Sequence, residues 1–379
     1  MRQWLLIPAL LAGLLALAAC AGEEKQATPA PAASPGGGKA AWEEEWDRVL
    51  AAAKREGKVT VMGPAGAEAR RALTEPFEKK YGISVEYMAG RGSDQAGRLR
   101  AEREAGQYLW DIYVGGSSTP ITVLKPVKAL EPIEKAFILP EVKELKNWRQ
   151  GKYPFLDKEG LVFAMIGQRT ESLIVNPSLV KPGEIKSLRQ LLDPKWKGKI
   201  TVNDPTVTSS GQGQFHFYYA QPDLGPDFIR ELAKQDLHIT RDTATQVRWV
   251  AEGRYAICIG CSARDAEPLL RAGVPLDLVT PDKVKEGGYI GTSTGALVMF
   301  NRAPHPNAAK VYVNWLLSKE GATEFVASTT GFISRRADVP PPQGEEWAIP
   351  AATDVPTDTE EARLQREQLV PFFKQVLGQ

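Results

Sequence analysis

Apolar and polar residues recur along the chain with two periods, and the switches between them mark the elements. Trp42, Trp46, Val49, Leu50 and Ala53 fall on one helical stripe, which Gly57 is placed to end. The apolar run at 58–62 then reads as a short buried strand, broken at Gly63-Pro64-Ala65-Gly66. A helix through Phe77, a strand at 83–88, a Gly-rich loop at 90–94, a helix to about Gly106 and a strand at 110–114 follow. That last strand stops at Gly115-Gly116-Ser117-Ser118-Thr119. The pattern restarts with strands at 161–166, 172–175, 199–202, 255–259 and 296–300. After His305-Pro306-Asn307 comes a helix whose inner stripe is Ala308, Val311, Tyr312, Trp315 and Leu316. The C-terminal stretch is Pro-rich, then polar and helical from about Glu360, and is expected to pack across the surface. Repeated βα alternation predicts an α/β chain with doubly wound, mostly parallel sheets. Such sheets bind ligands at the carboxyl ends of their strands, where this chain places small, hydroxyl-bearing residues.

The N-terminal pattern differs. Met1-Arg2 is basic, and 4–16 is apolar apart from Pro8 and Gly13, which fits a secretory signal and is too short for a membrane span. Leu17-Ala18-Ala19-Cys20 resembles a bacterial lipobox, so residues 1–19 are expected to be a signal peptide and Cys20 the lipidated first residue. Residues 20–41, rich in Ala, Pro and Gly, have no apolar periodicity and read as a flexible tether. The expected location is therefore extracytoplasmic, lipid-anchored in the periplasm or at the outer face of the cell membrane.

Composition narrows the function classes. The 379 residues carry 47 Lys+Arg against 46 Asp+Glu, a net charge of +1 that argues against a nucleic-acid partner. Charged residues at 25% and hydrophobic residues at 43% exclude a disordered or collagen-like chain. Three cysteines are too few for a disulfide scaffold, and three histidines limit any histidine metal site. No metal or cofactor is expected.

A family resemblance rests on motif order. Glu56-Gly57-Lys58-Val59, Phe77 to Tyr81-Gly82, Asp111-Ile112-Tyr113, Leu173-Ile174-Val175-Asn176 and the run from Pro306-Asn307-Ala308-Ala309-Lys310 to Ser318-Lys319-Glu320-Gly321 occur in sequence. Together they resemble type II extracellular solute-binding proteins of ABC importers, in the branch with ferric-ion-, phosphonate- and sugar-phosphate-binding members. That likeness implies two α/β lobes joined by two crossover strands near 163–176 and 285–296, with a ligand cleft between them. The first lobe would be 42–167 plus 289–379, and the second 168–288. It further implies a monomer that binds a small-molecule solute, closes about its hinge and engages an ABC permease.

Several local motifs offer chemistry. Gly90-Arg91-Gly92-Ser93-Asp94-Gln95-Ala96-Gly97 misplaces the third glycine of a dinucleotide fingerprint, so a cleft-facing loop is the better reading. Gly291-Thr292-Ser293-Thr294-Gly295 matches GxSxG, but a strand follows where a nucleophile elbow needs a helix. Cys258-Ile259-Gly260-Cys261 could close a local disulfide, stay as two thiols or act in thiol redox chemistry. A hydrolase or thiol oxidoreductase is thus the rival class to a non-enzymatic binder. In 204–213, a strand end and Ser/Gly residues lead into a helix, an arrangement suited to anions. Ser209, Ser210 and Gly211 are therefore expected to give hydroxyl and N–H donors to a polar, anionic solute. Ser117 and Ser118 are expected to join them from the first lobe. Ser262, Tyr289 and Thr292 are further candidates, and Arg91 is the expected countercharge. Tyr218-Tyr219 raises ferric binding as the alternative, although adjacent helix positions point in different directions.

Overall fold

The central strands of the first sheet are apolar on both faces, and the reason is visible in how that sheet is covered. In the strand Lys58–Gly63, Val59 and Val61 enter one core while Met62 enters another on the opposite face. Ile112 and Val114 alternate with Tyr113 in the same way, as do Leu297 and Met299 with Val298. A sheet buried on both sides requires such continuous apolar runs. The structure, a computed structural model, describes residues 39–378 apart from 171–172, 262, 330 and 352. The expected signal peptide, Cys20, most of the tether and Ser262 lie outside the described residues. Among the described residues no helix is long and apolar enough to cross a membrane.

The first sheet runs Ser84–Ala89, Lys58–Gly63, Ile112–Gly115, Ala296–Phe300, Leu130–Glu131 in space, with Phe163–Ala164 also paired to Ala296–Phe300. Its first three strands are parallel, and Ala296–Phe300 returns antiparallel to them. A second sheet runs Asp277–Val279, Leu173–Val175, Ile257–Ile259, Ile200–Asn203, His238–Thr240. It has its own core, in which Phe215, Phe217, Tyr218, Phe228 and Ile257 are fully or almost fully buried.

A third, small sheet links these two. The strand Ile166–Arg169 leads out of the first sheet and Tyr289–Gly291 leads back, and the two pair antiparallel with Ile290 opposite Arg169. Ile333–Ser334 and Val355–Pro356 flank them. The crossovers expected near 163–176 and 285–296 are these strands. The apolar run at 161–166 is divided in two: Met165 N bonds Gly295 O, and the chain turns from the first sheet into the hinge there.

The C-terminal stretch departs from expectation. Of 289–379, assigned above to the first lobe, the end packs on the second: Leu369 and Phe373 enter the second core, and Arg230 lies 5.3 Å from the Phe372 ring centre. The reason is the apolar spacing Leu369, Phe372, Phe373, Val376, which needs a complementary apolar surface and meets it there.

Candidate functional site

Strand ends and hinge strands surround one cavity of about 430 Å³. Gly116 and Ser118 come from the end of Ile112–Gly115, Thr208, Ser209 and Ser210 from the loop after Ile200–Asn203, and Cys261 and Asp265 from the turn and helix after Ile257–Ile259. Gln168, Thr170, Tyr289, Gly291, Thr292 and Ser293 come from the hinge. Arg363 and Arg366, from the helix Glu360–Gln368, complete the wall together with Thr357. Of the residues singled out in the sequence, Ser118, Ser209, Ser210, Tyr289 and Thr292 line this one cavity.

Other candidates sit differently. Ser117 lies behind the wall, fully buried, with its hydroxyl donating to the Thr292 carbonyl at 3.0 Å. Gly211 is needed for packing: a Cβ there would lie 1.9 Å from Asn203 O, and its N–H is already taken by Asn203 Oδ1 at 3.1 Å. The expected donors at this helix start are satisfied by the protein itself. Ser209 Oγ donates to Asp204 O at 2.6 Å and caps Gln212 N, and Ser210 Oγ donates to Gly260 O at 2.5 Å. Ordinary N-capping and loop closure consume these groups. Arg91 is exposed at the loop before Gly92–Glu104 and does not line the cavity, which corrects its expected role as countercharge.

The cations that do line the cavity are Arg363 and Arg366. Three residues apart on one helix, they share a face. Arg363 Nη2 donates to Ser117 Oγ at 2.5 Å, and Arg366 donates to the Thr357 carbonyl. The Nε of each is buried without a hydrogen-bond partner. Burial pushes the Arg363 guanidinium down to about 10, and the neighbouring Arg366 charge adds to this while Asp358 opposes it. Burial lowers Arg366 as well, against the opposing effects of Tyr289 and Asp358. Asp358 itself bonds Arg335 at 3.0 Å and accepts the Thr292 hydroxyl at 2.5 Å. Two desolvated cations therefore border the cavity beside a carboxylate that a third arginine already shares. Such a wall favours an anion.

The remaining motifs resolve as follows. Cys258 and Cys261 are disulfide-bonded, with Cα atoms 6.0 Å apart, so the pair holds the strand end that forms the cavity rim. Ser293 is followed by the strand Ala296–Phe300, and no histidine lines the cavity among the described residues. His305 is elsewhere, its Nδ1 2.9 Å from Asp111 Oδ2. Tyr218 is fully buried in the second core, where burial raises its phenol, and Tyr219 packs on Phe372; neither lines the cavity. Helix direction, as anticipated, separates the pair.

A family model described as a bacterial extracellular solute-binding protein matches residues 72–356. An uncharacterised protein of Haemophilus influenzae is 25% identical over 276 residues, 72% of this chain and 76% of that protein. A putative extracellular solute-binding protein from Bordetella parapertussis superposes with a TM-score of 0.68 at 16% identity, over 85% of this chain and 98% of that one. Iron-bound HitA from Pseudomonas aeruginosa gives 0.59 at 18% identity, over 85% and 99%. AfuA from Actinobacillus pleuropneumoniae with fructose-6-phosphate bound gives 0.54 at 19%, over 84% and 99%. These likenesses show the two-lobed type II binding-protein fold.

Proposed function

The chain belongs to the bacterial extracellular solute-binding protein family of ABC transporters, and from that premise we propose that it captures a small anionic solute in the cleft and delivers it to a permease. The observation that carries this reading is the arginine pair. Arg363 and Arg366 border a cavity of about 430 Å³, a size suited to a small metabolite. An anion entering there would replace lost hydration with fixed, charged donors. Hinge strands at 166–169 and 289–291 would let the lobes close over it, and the closed form would be the one a permease recognises. The signal layout and Cys20 support tethering to a membrane by lipid, with the protein working as a monomer outside the cytoplasm.

Ferric ion is less well supported as the direct ligand. Hard Fe(III) calls for several anionic oxygen ligands, whereas the described lining offers one phenol, Tyr289, and one carboxylate, Asp265. The two cations would oppose a bare metal ion. Among the described residues no histidine lines the cavity beside Ser293, and Cys258 and Cys261 are joined as a disulfide.

The experiment is a thermal-shift titration with inorganic phosphate, glucose 6-phosphate, citrate and neutral glucose. Binding to the folded form raises the melting temperature by mass action. The reading expects a rise with at least one anion and none with glucose. A rise with glucose alone would overturn it.

A further inference from the structure

The helix Glu360–Gln368 touches both lobes, and its two ends are held by different physics. Its first turn is tied to the first lobe. Glu360 lies 2.6 Å from Lys125 Nζ, which also meets Glu159 at 2.6 Å and Asp157 at 3.2 Å. The Lys125 side chain is 11% exposed and that of Asp157 is fully buried. Glu360 N also bonds Leu156 O at 2.8 Å. Toward the second lobe, Gln365 Oε1 accepts from His216 Nε2 at 3.0 Å, and the following helix Val370–Leu377 sinks Phe373 into the second core. Between these attachments lie Arg363 and Arg366. The family match ends at residue 356, so the whole segment lies beyond it.

We propose that this helix is an interlobe strap, and that Lys125 is a positioning residue that holds the arginine clamp in the cleft by gripping Glu360. The proposal rests on the reading of Arg363 and Arg366 as the solute's partners. An ammonium that is 11% exposed and shared by three carboxylates is costly to uncover, because Lys125 and the fully buried Asp157 would be left desolvated, while Glu159 lies in solvent. By contrast, the polar contact of Gln365 with His216 and the exposed pair Lys158–Glu361 hold little by themselves. Loss of the grip would let the first turn fray, carry Arg363 off Ser117 and leave the terminal helix in place.

The test uses the full, ligand-free chain. Amide exchange at 360–368 should accelerate about tenfold or more in Lys125→Met and in Glu360→Gln, with 370–377 unchanged. Lys125→Arg should keep exchange slow, and so should Lys158→Met, which removes only an exposed partner. Unchanged exchange at 360–368 in both Lys125→Met and Glu360→Gln overturns the proposal, as does acceleration spread evenly over the first lobe. A second arm measures affinity for inorganic phosphate. Lys125→Met should weaken it in the native chain and leave it unchanged in Arg363→Gln/Arg366→Gln, because the lysine acts through the arginines. An equal loss in both backgrounds overturns the positioning role. If the native chain binds no anion at all, the anionic reading fails, and the exchange arm alone decides whether the strap exists.

Discussion

Ser117 Oγ accepts a hydrogen bond from Arg363 Nη2 at 2.5 Å while donating its own proton to the Thr292 carbonyl at 3.0 Å. One hydroxyl at a strand end thus fixes the aim of a guanidinium carried by a helix near the other end of the chain. The serine does not line the cavity, yet it sets what does.

Arg366→Gln separates function from stability. The Arg366 charge disfavours its charged neighbour Arg363, so its removal relieves a like-charge contact. The variant should melt at the native temperature or slightly higher, while affinity for inorganic phosphate falls about tenfold to a hundredfold, the worth of a charged hydrogen bond. Calorimetric titration beside a melting curve checks both. A marked fall in melting temperature would assign Arg366 to the scaffold instead.

His216 gives a pH dependence with a definite sign. Burial holds its imidazole below the usual value of 6.5; the Gln365 contact works against this, and the Arg366 charge adds to it. The unfolded chain therefore takes up a proton first as pH falls. Stability from the neutral ring is fully present above about 6.5 and is lost as pH drops toward the lower folded value. His216→Gln should flatten the melting temperature between pH 7.5 and 5 relative to the native chain. An identical pH profile in the variant contradicts the assignment.

Gly211 tolerates no side chain. A Cβ would lie 1.9 Å from Asn203 O and 2.6 Å from its carbonyl carbon, so backbone must move. Gly211→Ala should cost about 1–3 kcal/mol and shift the 204–210 loop, visible in denaturant unfolding and in the chemical shifts of Ser209 and Ser210. Gly97, with nothing within 4 Å of an added Cβ, is the control, and Gly97→Ala should be neutral or stabilising.

The Cys258–Cys261 bond closes a very short loop, with a sequence separation of 3. Chain-entropy reasoning gives about 2 kcal/mol for so small a ring. Reduction by a dithiol should lower stability by no more than that and leave the fold intact, because Cys258 stays buried among Ile174, Val247 and Val250. Unfolding on reduction would show that the bond is a scaffold requirement.

The strand ends were legible in the sequence because small, hydroxyl-bearing residues follow the apolar runs; Ser118, Ser209 and Ser210 at such ends line one cavity, with Tyr289 and Thr292 from the hinge. Hydrogen-bond partners were not legible. Nothing local shows that Asn203 would claim Gly211 N, or that Gly260 O would claim Ser210. Arg363 and Arg366 carried a signal, their spacing of three within a helix, but a polar helix does not reveal which face turns inward. The decisive information lies in Lys125 and Leu156, more than two hundred residues earlier. Arg91 looked suitable because it flanks a Gly-rich loop at a strand end, yet the loop directs it to solvent.

The most direct measurement of the central claim is native mass spectrometry of freshly purified protein beside Arg363→Gln/Arg366→Gln. The account predicts a retained anionic solute in the native chain, displaced by excess competing anion and missing from the double variant at equal folding. A retained neutral molecule, or the same anion held equally by both proteins, would contradict it.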